Sequence, residues 1–312
     1  MKENNASISG RILREVISTV NSTNFMEKKF KSGELRKNLK EPLWLCPGDY
    51  TMEEITMPEF TMEWLTRNDF DLESEHMVIL QLHGGGYVGA MTNIYRFFAV
   101  LYSEEGKGIP VLSTDYRVAP ENPYPAALED ALSSYEWLLE KGYRPDQIVV
   151  AGDSAGGGLA LALCLYLRDH GRELPCGIIT MSAWTDLTAE GDSYTDNFEI
   201  DPLFGKTRES LLFDPAYIGE GADPKDPYVS PVFGDFTGFP PMLMQVGDYE
   251  MLLSDTLTIA KKAAKQGVKV KRTVYRGMFH VFQMALRLMP ESRRAWKEVG
   301  RFLDILSEMR EQ

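Results

Sequence analysis

Apolar positions follow three successive rhythms along the chain. Residues 1–48 carry two helical stripes, Ile8, Ile12, Leu13, Val16 and Ile17 on the first and Phe25, Met26, Phe30 and Leu35 on the second. Alternation of period two then takes over in Tyr50–Met57 and Phe60–Thr66, and Pro58 between them predicts a paired-strand turn. From Met77–Leu82 the strands become near-continuous apolar runs, the pattern of strands covered on both faces of a parallel sheet. Strand and helix alternate from there: Ile109–Asp115, a helix over Ala126–Lys141, Ile148–Ala151, a helix over Ala155–Asp169, then Gly177–Ser182. The segment Asp186–Asp235 breaks the rhythm, being acidic, aromatic and rich in Gly and Pro, with one short helical pattern near Arg208–Ile218. The rhythm resumes with Met242–Val246, a helix over Ser254–Gln266, Val268–Tyr275 and a last helix over Glu291–Met309. Residues 49–312 therefore predict a doubly wound α/β domain with an insertion over its sheet at about 186–235.

Composition narrows the partners. Lys and Arg number 33 against 46 Asp and Glu, a formal net charge of −13, which argues against nucleic acid and anionic membrane as partners because both draw affinity from basic patches. No apolar run approaches the roughly 18 residues of a membrane span. Met1–Gly10 is polar and lacks the apolar core of a secretion signal. Cys46, Cys164 and Cys176 are an odd number without paired spacing, which predicts free thiols and a cytoplasmic protein. No His/Cys/Asp cluster has metal-ligand spacing, so neither metal nor cofactor is expected.

Gly152-Asp153-Ser154-Ala155-Gly156 matches the nucleophile elbow and sits where it must, between the strand Ile148–Ala151 and a helix. A bare strand-to-helix turn with serine as its cap is the plainer reading. His83-Gly84-Gly85-Gly86-Tyr87 tips the balance, because glycines after a strand let backbone N–H groups approach a developing oxyanion. Gly84 and Gly85, with Ala155, are the expected donors. A rival from another class uses the same loop: Gly84, Gly86 and Gly89 spell a dinucleotide fingerprint, with Asp115 ending the next strand. That rival leaves the elbow unexplained. In the order serine, acid, histidine, His76 and His83 come too early, and His170 lies 16 residues down the helix from Ser154, roughly 24 Å away. His280 remains as the base. The acid should follow Met242–Val246, where Asp255 is explained as helix capping beside Ser254, while Asp248 and Glu250 stay open.

These motifs, with Asp115-Tyr116-Arg117-Val118-Ala119-Pro120-Glu121, Tyr124-Pro125-Ala126-Ala127-Leu128-Glu129-Asp130, Asp186-Leu187-Thr188 and Ser230-Pro231, resemble the hormone-sensitive-lipase family of α/β-hydrolase esterases, in its bacterial carboxylesterase branch. The resemblance implies an α/β-hydrolase fold, mostly parallel, with a helical cap to which residues 1–48 and the insertion belong. It implies a serine carboxylesterase without cofactor: Ser154 as nucleophile, His280 as base and then acid, and Glu250 orienting His280. The register that carries Asp-Pro-Leu in the family falls on Glu250-Met251-Leu252, and the glycine that usually follows the aromatic of the first motif is displaced to Gly89. Asp153 and Asp115 are read as scaffold. An acidic cap without a basic amphipathic helix predicts small soluble esters, acetyl to about hexanoyl. Sugar deacetylation, anilide hydrolysis and a ligand receptor without catalysis are the alternatives. The family's habit further implies a homodimer through Val268–Tyr275, although Lys269, Lys271 and Arg272 could discourage edge pairing.

Overall fold

All residues of Val78–Leu82, Ile148–Asp153, Gly177–Met181 and Met242–Gly247 are buried, as strands covered on both faces require. In the computed structural model, which describes residues 6–21, 41–74 and 76–311, these are β3, β5, β6 and β7 of one sheet. The remaining strands are β1 (Tyr50–Thr56), β2 (Thr61–Arg67), β4 (Val111–Asp115) and β8 (Val270–Tyr275). Their order is β1-β2-β4-β3-β5-β6-β7-β8. The β1–β2 hairpin pairs Thr56 with Thr61 around Pro58, and only β1–β2 and β2–β4 are antiparallel.

The helices are α1 (Ile8–Asn21), α2 (Asn93–Glu105), α3 (Ala126–Glu140), α4 (Ser154–Asp169), α5 (Ser193–Asp196), α6 (Leu253–Lys265) and α7 (Pro290–Arg310). The period-two pleat divides the core. Val78, Leu80, Leu82, Val150 and Met244 pack with α3, α4 and α6, whereas Ile79, Val149, Ala151 and Leu243 pack with α2 and α7. On that second face Trp296 meets Phe98 and Tyr102 edge-on, each at 5.0 Å. The sequence pattern assigned no element to α2. Its residues Phe98–Ser103 are buried without a break, so the 3.6-residue period that marks an amphipathic helix is erased.

Two further expectations change. Of the first N-terminal stripe, Leu13 and Ile17 pack against Tyr275, Met278, Phe279 and Phe282, while Ile8, Ile12 and Val16 are exposed. The second stripe, Phe25, Met26, Phe30 and Leu35, lies outside the described residues. In the insertion, Arg208–Ile218 forms a chain of turns, not a helix. Thr207 Oγ1 and Ser210 Oγ accept the N–H groups of Glu209 and Leu212, local bonds that compete with helical ones, and Pro215 biases Asp214 away from the helical region.

Among the described residues no helix is long and apolar enough to cross a membrane. Chain order reverses between β3 and β5, since β4 lies on one side of β3 and β5 on the other. The crevice beyond the carboxyl ends of these two strands is where open α/β sheets place their chemistry. Both glycine-bearing motifs flank it.

Candidate active site

The turn from β5 into α4 holds Ser154 at φ +51°, the left-handed region that a side chain occupies only under constraint. Close packing imposes it: a Cβ on Gly156 would meet Leu82 O at 2.0 Å. The α4 N-terminus therefore sits hard against the end of β3, and Ser154 stands above the sheet at a helix terminus that favours anions.

His280 reaches Ser154 from the loop after β8. Its Nε2 is 2.9 Å from Ser154 Oγ and its Nδ1 is 3.0 Å from Glu250 Oε2. Glu250 is wholly buried. Its second oxygen, Oε1, accepts the Ser182 hydroxyl at 2.7 Å and the Gly247 N–H at 2.5 Å. With an acceptor at Nδ1, the neutral imidazole carries its proton there and leaves Nε2 free to take one from Ser154. The Phe204 ring, 4.9 Å from His280 and edge-on, shields the pair from the insertion side. Ser154, Glu250 and His280 are thus brought together as expected.

The other acids are engaged elsewhere. Asp248 Oδ1 accepts the Gly277 N–H. Asp255 does not cap α6: the capping position is Leu252, and Asp255 Oδ2 accepts the N–H groups of Thr185 at 2.7 Å and Asp186 at 2.9 Å. That carboxylate fastens the loop after β6, and burial pushes its pKa well above the usual range.

Sequence reasoning missed three supporting side chains. Ser182 joins both partners of the acid–base pair, its Oγ donating to Glu250 and accepting the Val281 N–H at 3.1 Å. Asn197 donates to Glu250 O at 2.6 Å, and Asp201 Oδ2 accepts the Met251 N–H at 2.7 Å. No motif announces them, apart from the position of Ser182 at the end of a buried strand.

One of the expected donors already has a partner within the protein. Gly84 N–H is already given to Asp153 Oδ1 at 3.1 Å, and a Cβ there would meet Asp153 Oδ2 at 2.3 Å. Gly84 is glycine so that the loop can lie on this carboxylate, whose pKa burial pushes up to about 6. Among the described residues no acceptor takes the N–H groups of Gly85, Gly86 or Ala155. Asp153 thus serves as scaffold, as does Asp115, which accepts the Met91 N–H at 2.9 Å.

The dinucleotide reading fails on this loop. A phosphate-binding glycine loop runs directly into a helix, but α2 begins only at Asn93, and Leu211 Cδ1 lies 2.9 Å from where a Gly86 Cβ would stand. A cleft of about 830 Å³ lined by Leu187, Thr188, Phe213, Pro215 and Ile218 touches none of the three triad residues. Among the described residues no group of three or more His, Cys, Asp or Glu is placed to hold a metal.

Known proteins share this fold. A family model for the alpha/beta hydrolase fold matches residues 79–284. An acetyl-hydrolase of Streptomyces hygroscopicus is 38% identical over 267 residues, 84% of each chain. The crystal structure of an esterase from the bacterial hormone-sensitive lipase family superimposes with a TM-score of 0.81 at 33% identity, covering 95% of this chain and 97% of that one. The crystal structure of EstE5, soaked with p-nitrophenyl butyrate, gives a TM-score of 0.82 at 32% identity, covering 96% of this chain and 99% of that one. With its elbow, its buried acid–base pair and these likenesses, the chain belongs to the hormone-sensitive-lipase family of α/β-hydrolases and is a carboxylic ester hydrolase.

Proposed function

We propose that the protein is a serine carboxylesterase that cleaves small soluble esters of short acyl chains through an acyl-enzyme. The observation that carries this reading is the unbroken relay from Ser154 Oγ through His280 to Glu250, with contacts of 2.9 and 3.0 Å. His280 Nε2 takes the serine proton as Oγ attacks the ester carbonyl, and Glu250 stabilises the imidazolium. The oxyanion is held by the N–H groups of Gly85, Gly86 and Ala155. His280 then protonates the leaving alcohol, and water releases the acid by the same steps.

Leu211 and Phe204, packed against Gly86 and His280, bring the insertion down onto the reacting atoms. Each further methylene gains affinity only while apolar wall remains. The relative that carries the name acetyl-hydrolase supports a short acyl group, and so does the butyrate ester soaked into EstE5. Across p-nitrophenyl esters of increasing length, kcat/KM is expected to peak at about two to six carbons. Highest rates on long-chain triglyceride emulsions, with a jump at the solubility limit, would contradict this. Deacetylation of sugars is the second reading, which that name fits through the acetyl group alone. Comparing acetylated sugars, aryl esters and anilides as substrates separates these from an amidase.

β8 is a sheet edge, a template for a second copy, so the protein is proposed to pair through it as a homodimer. Light scattering at micromolar concentration should give twice the chain mass; a monomer refutes the pairing. Cys46, Cys164 and Cys176 are free thiols, with Cys176 pushed up to about 12 by burial. Unreactive free thiols support a reducing compartment, the cytoplasm.

A further inference from the structure

Arg14 is a buried cation on α1 whose partners among the described residues are a carbonyl oxygen and a ring face instead of a carboxylate. Its Nη1 donates to Gly277 O at 3.0 Å, and its guanidinium carbon stands 4.0 Å from the centroid of the Tyr249 ring. Tyr249 immediately precedes Glu250, and Gly277 opens the loop that ends in His280. One side chain therefore grips both loops that present the acid and the base.

Those loops also grip each other. Tyr249 N–H donates to Met278 O at 3.0 Å, Gly277 N–H donates to Asp248 Oδ1, and Asp248 N–H donates to Tyr275 O at 3.2 Å. The helix that carries Arg14 is separately anchored, since Ser7 donates its N–H and its hydroxyl to the two oxygens of Glu291, each at 2.8 Å. Its backbone lies against the base loop: a Cβ on Gly10 would come within 2.8 Å of Met278 Cε. A strut fixed at its N-terminus, with a cation about two turns further along, is placed to resist separation of the two loops.

We propose that Arg14 is a positioning residue, which ties the acid loop at Tyr249 and the base loop at Gly277 to α1 and so keeps Glu250 and His280 in register. The proposal rests on the esterase reading, because register matters only if this pair assists Ser154. An arginine suits the task because its planar guanidinium can stack on an aromatic face while one N–H reaches a carbonyl. Misplacement of a catalytic group by about an ångström lowers turnover by up to roughly a hundredfold, so a partial loosening should cost about tenfold.

The experiment uses the full chain with p-nitrophenyl butyrate, and adds the low-field proton NMR signal of His280 Nδ1–H, which needs no turnover. Arg14→Met is expected to lower kcat about tenfold with KM unchanged, and to broaden or shift that signal. Arg14→Lys, which keeps a cation over the ring and a donor, should recover most of both. Tyr249→Leu should match Arg14→Met, and the double variant should cost no more than either single change. Ser7→Ala, which removes the hydroxyl bond to Glu291 and keeps the N–H bond that holds α1 in place, should lower the melting temperature and leave kcat and the signal in place. A folded Arg14→Met with wild-type kcat overturns the proposal, as does a loss confined to KM, an additive double variant, or a Ser7→Ala that cripples turnover equally. If Arg14→Met does not fold, Tyr249→Leu, which leaves α1 intact, decides alone. If the wild-type chain hydrolyses no ester while the signal still responds to Arg14, the esterase reading falls and the positioning role stands.

Discussion

Ser154→Ala should lower kcat on a short aryl ester by about 10⁴-fold or more while the protein stays folded. The hydroxyl supplies the attacking oxygen, and no neighbouring group can take over, because His280 Nε2 is aimed at that atom from 2.9 Å. The residual rate is expected to come from the proposed oxyanion donors, Gly85, Gly86 and Ala155, which would still stabilise charge on a carbonyl attacked by water. Folding should survive, since among the described residues the Ser154 hydroxyl that alanine removes bonds to His280 alone. Near-normal turnover by the folded variant would remove Ser154 from the reaction.

The next largest effect is expected at Glu250. Both donors to Oε1, the Ser182 hydroxyl and the Gly247 N–H, need an acceptor. In Glu250→Gln the amide oxygen is held there, and the amide NH₂ is turned toward His280 Nδ1. That nitrogen must then accept, so the proton moves to Nε2 and the base faces Ser154 in the wrong tautomer. A loss of at least about a hundredfold in kcat, with little change in KM, follows. Asp255→Asn is the matched control. Its oxygen can keep the Thr185 and Asp186 N–H groups, so the change should cost about 1–2 kcal/mol of stability and leave kcat near wild type. Measuring kcat and urea midpoints for both variants checks the pair. A crippled Asp255→Asn beside an active Glu250→Gln would move the acid.

Ser154 and His280 were legible in the sequence for physical reasons. The elbow is local, since the glycines, the strand before it and the helix after it lie within a few residues of Ser154. His280 followed because the other three histidines are in the wrong order or too far along α4. The acid was not legible from the residues alone, because Asp248 and Glu250 stand two residues apart in one loop. What separates them is the Gly277 N–H, which occupies Asp248 Oδ1 from 29 residues away. The bond that engages the Gly84 N–H was hidden in the same way, its partner Asp153 lying 69 residues along the chain. Ser182, Asn197 and Asp201 act through bonds that span 50 to 99 residues, and a lone polar residue carries no periodicity or motif to reveal them. The sheet was legible because burial on both faces leaves unbroken apolar runs. The same burial hid α2, and local side-chain bonds turned Arg208–Ile218 away from the helix its pattern suggests.

The central claim is that Ser154 is acylated during turnover by a relay that needs Glu250. Rapid acid quenching of the protein with p-nitrophenyl butyrate, followed by peptide mass spectrometry, tests it most directly. A butyryl adduct on the peptide containing Ser154, formed within one turnover, absent in Ser154→Ala and at least about a hundredfold slower to form in Glu250→Gln, is the predicted result. Full turnover with no adduct, or an adduct on another residue, would contradict it.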